Sequence, residues 1–203
     1  IPNGIDTKGF VAKPRPDALR GVIKHEGEKW VGSLAGLRAV KNLPALVNAV
    51  ARLPEEWQLV IVGDGPERDK IRDVAEAAEI AHRVHLPGFV AKPRTYVGLF
   101  DIFALSSRSE QFPLSVVEAM AAGLPVVAPA VGDIAAMVAE ENARFIVRPN
   151  DVDALSQALL ILAADEDRRR EIGQANRAKA RAQFDEAKML ATYRRLYASA
   201  LGR

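Results

Sequence analysis

The sequence predicts an α/β protein with a Rossmann-like, doubly wound parallel sheet of about six strands. Short apolar stretches rich in branched residues alternate with longer stretches of helical periodicity, the pattern of repeated βαβ units. Glycine and proline follow the apolar stretches, as in Gly63-Asp-Gly-Pro66, and mark their ends. Ligands of such sheets bind beyond the carboxyl ends of the strands, so functional residues are expected there.

The individual elements follow from this alternation, and together they predict one domain spanning residues 1–203. Residues 1–28 are rich in proline, glycine and charge and are interpreted as an irregular lead-in. The predicted strands are 30–34, 58–62, 83–86, 101–105, 125–128 and 144–147. The predicted helices are 43–50, 66–79, 93–99, 113–122, 134–140, 151–163, 166–182 and 185–200. Asn42 and Asp151 precede two of these helices and are expected to cap them.

Composition narrows the class of protein. With 203 residues, 49% of them hydrophobic, the chain can bury a substantial core, and a net charge of +2 is too balanced to indicate a nucleic-acid partner. The absence of cysteine excludes disulfides and thiolate metal sites and fits a cytoplasmic location. No apolar run reaches about 18 residues, so no transmembrane helix is expected. Because the chain begins with Ile1, we interpret it as a piece of a longer protein.

Basic residues cluster late in the sequence. They are Arg168, Arg169, Arg170, Arg177, Lys179 and Arg181. One interpretation is a solvated helix face balanced by nearby acids such as Glu166 and Glu171. The alternative is a surface that contacts anionic lipid, which would place the full-length protein at the inner face of the membrane.

The most informative segment lies around two glutamates, Glu110 and Glu118, which seven residues separate. Pro113 favours the start of a helix and Gly123 its end, so Glu110 lies in the preceding loop and Glu118 within the helix. Glu118 is then roughly 7.5 Å along the helix axis from Pro113. Free backbone N–H groups at a helix start form an anion site.

A diphosphate bound at this helix start would have one carboxylate on each side. Carboxylates accept hydrogen bonds from hydroxyl groups. A nucleotide sugar has a hydroxylated ring on each side of its diphosphate. A nucleotide diphosphate sugar would match this arrangement.

This spacing, followed by Ala119-Met-Ala-Ala-Gly-Leu-Pro-Val-Val127, resembles the Glu-x7-Glu region of retaining GT-B glycosyltransferases of family 4, the glycogen-synthase-like "glycosyl transferases group 1". Further motifs follow in the family's order over nearly the whole chain. They are Ile1-Pro-Asn-Gly-Ile-Asp6, Val31-Gly-Ser33, Lys41-Asn42, Val62-Gly-Asp-Gly-Pro66, His85-Leu-Pro-Gly-Phe89 and Asp101-Ile-Phe-Ala-Leu-Ser106. Each motif is weak alone, but their order makes a strong match.

The resemblance implies the C-terminal, donor-binding half of a GT-B fold and a role of the kind found in polysaccharide biosynthesis. It also implies an N-terminal domain outside this chain, to which the helix at residues 185–200 would cross. The other interpretation of that helix is that its apolar stripe, which includes Tyr193 and Tyr197, packs in the core.

Three residues are implied as catalytic. By resemblance, Glu110 contacts the donor sugar or lies beside the reacting centre. Lys41 clamps the diphosphate and stabilises charge on the leaving group. The family's arginine usually stands five residues before this lysine, where this chain has Gly36, and Arg38 is expected to take its place.

The implied donor-binding residues surround these three. Glu118 would accept hydrogen bonds from the ribose, and backbone N–H groups near the helix start would hold sugar and diphosphate. The latter belong to Gln111, Phe112, Leu114 and Ser115. Gln111 replaces the family's usual glycine and would narrow the sugar pocket or alter specificity. Gly63 and Gly65 would border the nucleotide, while Gly88 and Phe89 would hold the base, although a structural turn and a core aromatic are the alternatives.

Other chemistries receive less support from the sequence. The Asp151–Asp153 pair opens a helix and is interpreted as capping, so no metal and no cofactor are expected. Ser106 and Ser107 end a strand and are candidates for a phosphate contact. A nicotinamide site would need Gly-x-Gly-x-x-Gly after the first strand, where only Gly32 and Gly36 occur. A nucleotide-sugar binding module without activity and a GT-B epimerase remain the alternative functions.

Overall fold

The sheet has the predicted doubly wound architecture. A computed structural model describes residues 1–11 and 13–201, and in it six parallel strands lie in the order β3-β2-β1-β4-β5-β6. The strands are β1 (Lys29–Leu34), β2 (Trp57–Val62), β3 (Val84–Gly88), β4 (Ile102–Ala104), β5 (Val126–Pro129) and β6 (Ile146–Val147). The order reverses between β1 and β4, which makes their carboxyl ends the expected ligand-binding crevice.

Helices connect the strands and cover both faces of the sheet. They are α1 (Leu43–Val50), α2 (Arg68–Ala77), α3 (Leu114–Ala122), α4 (Ile134–Met137), α5 (Val152–Ala164), α6 (Glu166–Gln183) and α7 (Glu186–Ala200). Short 3-10 turns occupy Ala39–Lys41, Ala81–Arg83, Pro93–Thr95, Val97–Leu99 and Glu140–Phe145. The predicted helix at residues 93–99 is therefore two such turns.

Two side-chain amides explain why the chain from α4 to β6 is more irregular than predicted. Asn176 on α6 accepts the Ala139 N–H at 2.9 Å, just beyond the point where α4 ends. Asn142 pairs with both the N–H and the C=O of Val126 on β5, at 2.8 and 2.7 Å. These buried bonds hold residues 140–145 as 3-10 turns, so the sixth strand begins two residues later than predicted.

The caps differ in how well the sequence predicted them. Asp151 caps α5 as predicted, since its Oδ1 accepts the Ala154 N–H at 2.8 Å. Asn42 occupies the N-cap position of α1, but its φ of 48° is left-handed and its side chain makes no capping bond, so that prediction is wrong. The left-handed turn instead redirects the backbone immediately after Lys41.

Two apolar cores flank the sheet. One contains Trp30, Phe103 and Met120 and lies beneath α3, and the other contains Trp57, Leu59 and Leu46 and lies beneath α1 and α5. Gly173 of α6 lets that helix approach so closely that a Cβ there would overlap the carbonyl oxygen of Gly123. The end of α3 is thereby fixed against α6, while the start of α3 lies at the edge of the sheet formed by the carboxyl ends of the strands.

The basic residues of α6 have different environments. Arg168 and Arg170 pair with acids of their own helix region, as the solvated-face interpretation predicted. Arg169 is buried, with its guanidinium 5.3 Å from the Trp57 ring centre. Lys179 donates to the carbonyl oxygens of Ala136 and Val138 at 2.7 and 2.6 Å. Arg169 and Lys179 therefore stabilise the fold, a role that the sequence alone did not indicate.

The last helix is exposed along its apolar stripe. None of the residues of α7 is buried, and Leu190, Tyr193, Leu196 and Tyr197 are between 40% and 67% exposed. The interpretation of this stripe as core packing is therefore wrong for the residues described. In the described part of the chain, no helix has both the length and the apolar character to cross a membrane.

Candidate functional site

The loops that leave β1 and β4 meet where the strand order reverses. The loop after β1 ends in the 3-10 turn Ala39–Lys41, and the loop after β4 runs from Leu105 to the start of α3. The Arg108 N–H donates to the carbonyl oxygen of Val40 at 2.8 Å and ties the two loops together. The predicted crevice thus receives the side chains of both loops.

The two loops contribute a close ion pair. Lys41 Nζ lies 2.6 Å from Glu110 Oε1, and the Glu110 side chain is only 9% exposed. Two of the three predicted catalytic residues are therefore in direct contact, although 69 positions separate them in the sequence. Such a charge-assisted hydrogen bond fixes the relative position of the cation and the carboxylate.

Two adjacent serines form hydrogen bonds with the two residues of this ion pair. Ser106 Oγ donates to the carbonyl oxygen of Lys41 at 2.9 Å, and Ser107 Oγ donates to Glu110 Oε1 at 2.6 Å. Both side chains are buried. In the ligand-free chain both hydroxyl groups donate within the protein, and the phosphate contact predicted for these serines stays a prediction.

A cavity of about 640 Å³ opens on the other side of the start of α3. Its walls come from the carboxyl ends of β1 and β2, the loops that follow them, the loop after β3, and α3. The lining residues are Leu34, Ala35, Gly36, Val62, Gly63, Asp64, Phe89, Val90, Ala91, Lys92, Pro93, Tyr96, Ser115 and Glu118. This volume is in the usual range for a small-molecule site.

Glu118 lines this cavity without a charged partner. Among the described residues no cation lies within ion-pair distance of its carboxyl group. Burial raises the pKa of Glu118 from 4.5 to about 7, because the ionised form loses hydration without gaining an ion pair. Tyr96 also lines this cavity. Burial, and to a smaller extent the charge of Glu118, raises the pKa of the Tyr96 hydroxyl.

The start of α3 lies between the ion pair and the cavity. Gly123 ends the helix in the left-handed conformation, as predicted, whereas Pro113, predicted as the first helical residue, is extended and directly precedes the helix. The N–H groups of Leu114 and Ser115 bond to no other group in the described chain. Free N–H groups at this position attract anions.

The other predicted site residues fall into distinct places around the crevice. Gln111 is exposed, and its carbonyl oxygen accepts the Asp133 N–H at 2.8 Å, while Phe112 packs edge-on against Phe184 with ring centres 5.5 Å apart. Leu114 is 43% exposed. Of the helix-start residues, Ser115 alone lines the cavity as defined above.

Arg38 turns back towards the position where the family's arginine was expected. Its side chain is exposed, and its Nε lies 4.0 Å from where a Cβ of Gly36 would be. Gly36 lines the cavity, whereas Arg38 itself is not among the lining residues. Within the described residues Arg38 makes no ion pair, which leaves its charge available.

The glycines near the cavity serve mainly the backbone. A Cβ on Gly63 would overlap the carbonyl oxygen of Ala35, and one on Gly65 would lie 2.6 Å from that of Leu37. Gly63 and Gly65 bring β2 and the loop after β1 into contact. Of these two glycines, only Gly63 lines the cavity. Gly88 has a φ of 84° and lies before Phe89, which is 79% exposed at the rim, so the core interpretation of Phe89 is wrong.

Sequence inspection missed several residues of the crevice. Lys92 has a left-handed φ of 59°, and it and Tyr96 line the cavity from the loop after β3. Gly132 touches the backbone of the Glu110 loop so closely that a Cβ would overlap the carbonyl oxygens of Glu110 and Gln111. A glycine followed by an acid after β5 was the available signal, but it has no local feature that points to the loop of a different strand.

No metal centre emerges from the described part of the chain, where no three His, Cys, Asp or Glu side chains converge.

Similar proteins share both the sequence pattern and the fold. A GDP-mannose-dependent alpha-mannosyltransferase of Mycolicibacterium smegmatis is 33% identical over 77% of this chain and 39% of its own length. N-acetyl-alpha-D-glucosaminyl L-malate synthase of Bacillus anthracis is 28% identical over 96% of this chain and 52% of its own. The chain thus spans about half the length of such relatives or less.

Solved structures give the same picture. Sucrose-phosphate synthase of Thermosynechococcus elongatus is 31% identical and superposes with a TM-score of 0.84 over 98% of this chain and 52% of its own. Anabaena HepE, solved in complex with UDP, is 24% identical with a TM-score of 0.88 over 97% of this chain and 56% of its own. The family model "Glycosyl transferases group 1" matches residues 15–179, and the chain belongs to that family.

Proposed function

We propose that this chain is the donor-binding domain of a retaining, metal-independent glycosyltransferase that uses a nucleotide diphosphate sugar. The observation that carries the proposal is the arrangement at the start of α3. Free N–H groups of Leu114 and Ser115 lie between the Lys41–Glu110 pair and a cavity that contains Glu118. A nucleotide diphosphate sugar has the matching order of sugar, anion and ribose.

The nucleoside half of the ligand fits the cavity. Glu118 accepts hydrogen bonds from the ribose hydroxyls, and Phe89 contacts the base together with backbone groups near Gly88. The volume of about 640 Å³ suits a nucleoside. The UDP bound to HepE supports this choice of ligand class.

The diphosphate lies at the helix start, where Lys41 and Arg38 supply the positive charge. In the transfer reaction the bond between the anomeric carbon and the diphosphate oxygen breaks, and negative charge develops on the departing nucleoside diphosphate. Cations positioned before the reaction stabilise that charge at little reorganisation cost. Glu110 orients the sugar, and Gln111 limits the space beside it.

The acceptor site belongs to an N-terminal domain that precedes this chain. The exposed stripe of α7 (Leu190, Tyr193, Leu196 and Tyr197) supports an assignment of that helix as the crossing to the missing domain. Alone, the chain binds nucleotide weakly and transfers no sugar, because half of the cleft is absent. Turnover by residues 1–203 with any acceptor would contradict this part of the proposal.

Titration identifies the ligand. UDP, GDP and ADP, and then the corresponding nucleotide sugars, are titrated into the chain. Calorimetry or ligand-observed NMR measures the affinity for each ligand. One nucleotide is expected to bind in preference to the others, with loss of affinity in Glu118→Ala. Equal affinity for wild type and Glu118→Ala would place the nucleotide elsewhere, and no binding of any nucleotide would refute the assignment.

The same measurement separates the proposal from its rivals. A nucleotide-sugar binding module without activity would bind tightly with no second domain. A GT-B epimerase would change the sugar of the bound ligand without an acceptor, which NMR of the recovered nucleotide sugar detects.

A further inference from the structure

We propose that Ser107 is a positioning residue that holds the Glu110 carboxylate in place for the donor sugar. The inference rests on the proposed function and extends it to a residue that does not itself touch ligand. The Ser107 side chain is only 1% exposed and lies behind Glu110 as part of the loop after β4.

The hydrogen bonds to Glu110 are unequally distributed between its two oxygens. Oε1 receives both Ser107 Oγ and Lys41 Nζ, each at 2.6 Å. In the described chain no side-chain donor bonds to Oε2, so this oxygen is available to a sugar hydroxyl. A carboxylate held through one oxygen presents the other in a fixed direction.

The two donors to Oε1 differ in what a bound ligand does to them. An arriving diphosphate attracts the Lys41 ammonium, which sits on a flexible stem and is 24% exposed. Ser107 has no such freedom, because its neighbours Ser106 and Arg108 bond to the backbone of Lys41 and Val40 at 2.9 and 2.8 Å. When Lys41 turns to the phosphates, Ser107 keeps Glu110 in position.

Direct contact between Ser107 and phosphate is the competing role. A serine hydroxyl has one proton to donate. In Ser107 that proton goes to Glu110, and the side chain has almost no surface through which a ligand could reach it. The two roles give opposite expectations: phosphate contact affects binding of every nucleotide, whereas positioning of Glu110 affects only the sugar.

The test compares affinities for a nucleoside diphosphate and for its sugar. Dissociation constants of UDP and UDP-glucose, and of GDP and GDP-mannose, are measured for wild type, Ser107→Ala, Glu110→Gln and the double variant. In Ser107→Ala the affinity for the nucleotide sugar is expected to fall about three- to tenfold relative to the affinity for the corresponding nucleoside diphosphate. The affinity for the nucleoside diphosphate itself should stay within about twofold of the wild-type value. Ser107→Ala should add nothing further in the Glu110→Gln background.

Ser156→Ala is the matched control for loss of a buried hydroxyl. Ser156 is fully buried on α5, and its Oγ donates to the carbonyl oxygen of Ala49 on α1 at 3.4 Å, so its hydroxyl bonds to neither Glu110 nor the loop after β4. It should lower thermal stability about as much as Ser107→Ala and leave the sugar-to-diphosphate ratio unchanged.

The outcomes separate the inference from the function on which it rests. An unchanged ratio in Ser107→Ala, or additive effects with Glu110→Gln, would overturn the positioning role while leaving nucleotide binding intact. A fall in diphosphate affinity equal to the fall for the sugar would assign Ser107 to the phosphate instead. If wild type binds none of the four ligands, both the proposed function and the inference fail.

Discussion

The two carboxyl groups of the Glu-x7-Glu segment have opposite environments. Glu110 is nearly buried but bonds to a cation and a hydroxyl at one oxygen, whereas Glu118 is largely buried with no ion-pair partner in the described chain. The first carboxyl group is bonded within the ligand-free protein. The second has a pKa of about 7 and is only partly ionised at neutral pH. Identical residues in one short motif are therefore prepared for different tasks.

The difference shows what a ligand must supply on each side. Under the proposed function, a diphosphate on the Glu110 side would compete with the carboxylate for Lys41, so binding would redistribute an existing charge pair. On the Glu118 side, hydroxyl donors from the ligand would replace lost hydration and favour the ionised carboxylate. Four predictions test this contrast.

Removal of the cation on the Glu110 side has the largest expected effect. In Lys41→Ala the Glu110 charge remains without its cation and repels the diphosphate, so nucleotide affinity should fall about a hundredfold, or roughly 2.7 kcal/mol. Calorimetric titration with the preferred nucleotide measures this loss. Lys70→Ala, which removes an exposed lysine paired with Glu67 on α2, is the control and should bind normally. Similar affinities for the two variants would show that Lys41 lies outside the phosphate site.

On the other side, neutralisation of the carboxyl should stabilise the ligand-free protein. The raised pKa of Glu118 means that the folded state holds a proton that the unfolded chain releases between pH 4.5 and about 7, so the stability contribution falls as pH rises through that window. Glu118→Gln should therefore unfold at higher urea concentration at pH 8, with a gain of roughly 1–3 kcal/mol, and show little gain at pH 4.5.

The control for this measurement is Glu76→Gln on the exposed face of α2, which should change stability little at either pH. A gain of the same size at both pH values would mean that Glu118→Gln acts through packing and not through charge.

Ligand binding on the Glu118 side should release a proton. Because ribose hydroxyls donate to the ionised carboxylate, nucleotide affinity should rise as pH increases from 6 to 8, by at most about tenfold per unit below the pKa of about 7. Calorimetry in two buffers of different ionisation enthalpy counts the released protons. Glu118→Gln should bind more weakly and with no pH dependence from this group. A persistent pH dependence of equal slope would assign the titration to another residue.

The fold was accessible from the sequence because its signals are local. The strand 58–62 and its Gly63-Asp-Gly-Pro66 end lie within nine residues, and the structure places β2 at Trp57–Val62. The error in the segment before β6 came from long-range bonds. Asn142 and Asn176 replace regular structure before β6 with side-chain bonds to distant backbone, and no local pattern distinguishes such asparagines from those in loops.

The candidate site was only half accessible for the same reason. The Glu110 and Glu118 spacing predicted correctly that one acid precedes the helix and one lies within it. The contact between Lys41 and Glu110, the Ser107 bond and the closeness of Gly132 depend on loops from three strands meeting at one edge. Phe89 is 79% exposed because little of the described chain packs against it, and the local sequence pattern does not indicate this.

The smallest expected effect concerns Phe89, at the rim of the Glu118 side. Because its ring has little packing to lose, Phe89→Ala should change the free energy of unfolding by less than about 0.5 kcal/mol. Loss of an aromatic contact to the base should weaken nucleotide binding about three- to tenfold. The weakening should be the same for a nucleoside diphosphate and its sugar, in contrast to Glu110→Gln, because Phe89 lies on the nucleoside side of α3. Denaturant unfolding and titration of the one variant measure both quantities, and strong destabilisation, or a loss confined to the nucleotide sugar, would remove Phe89 from the base site.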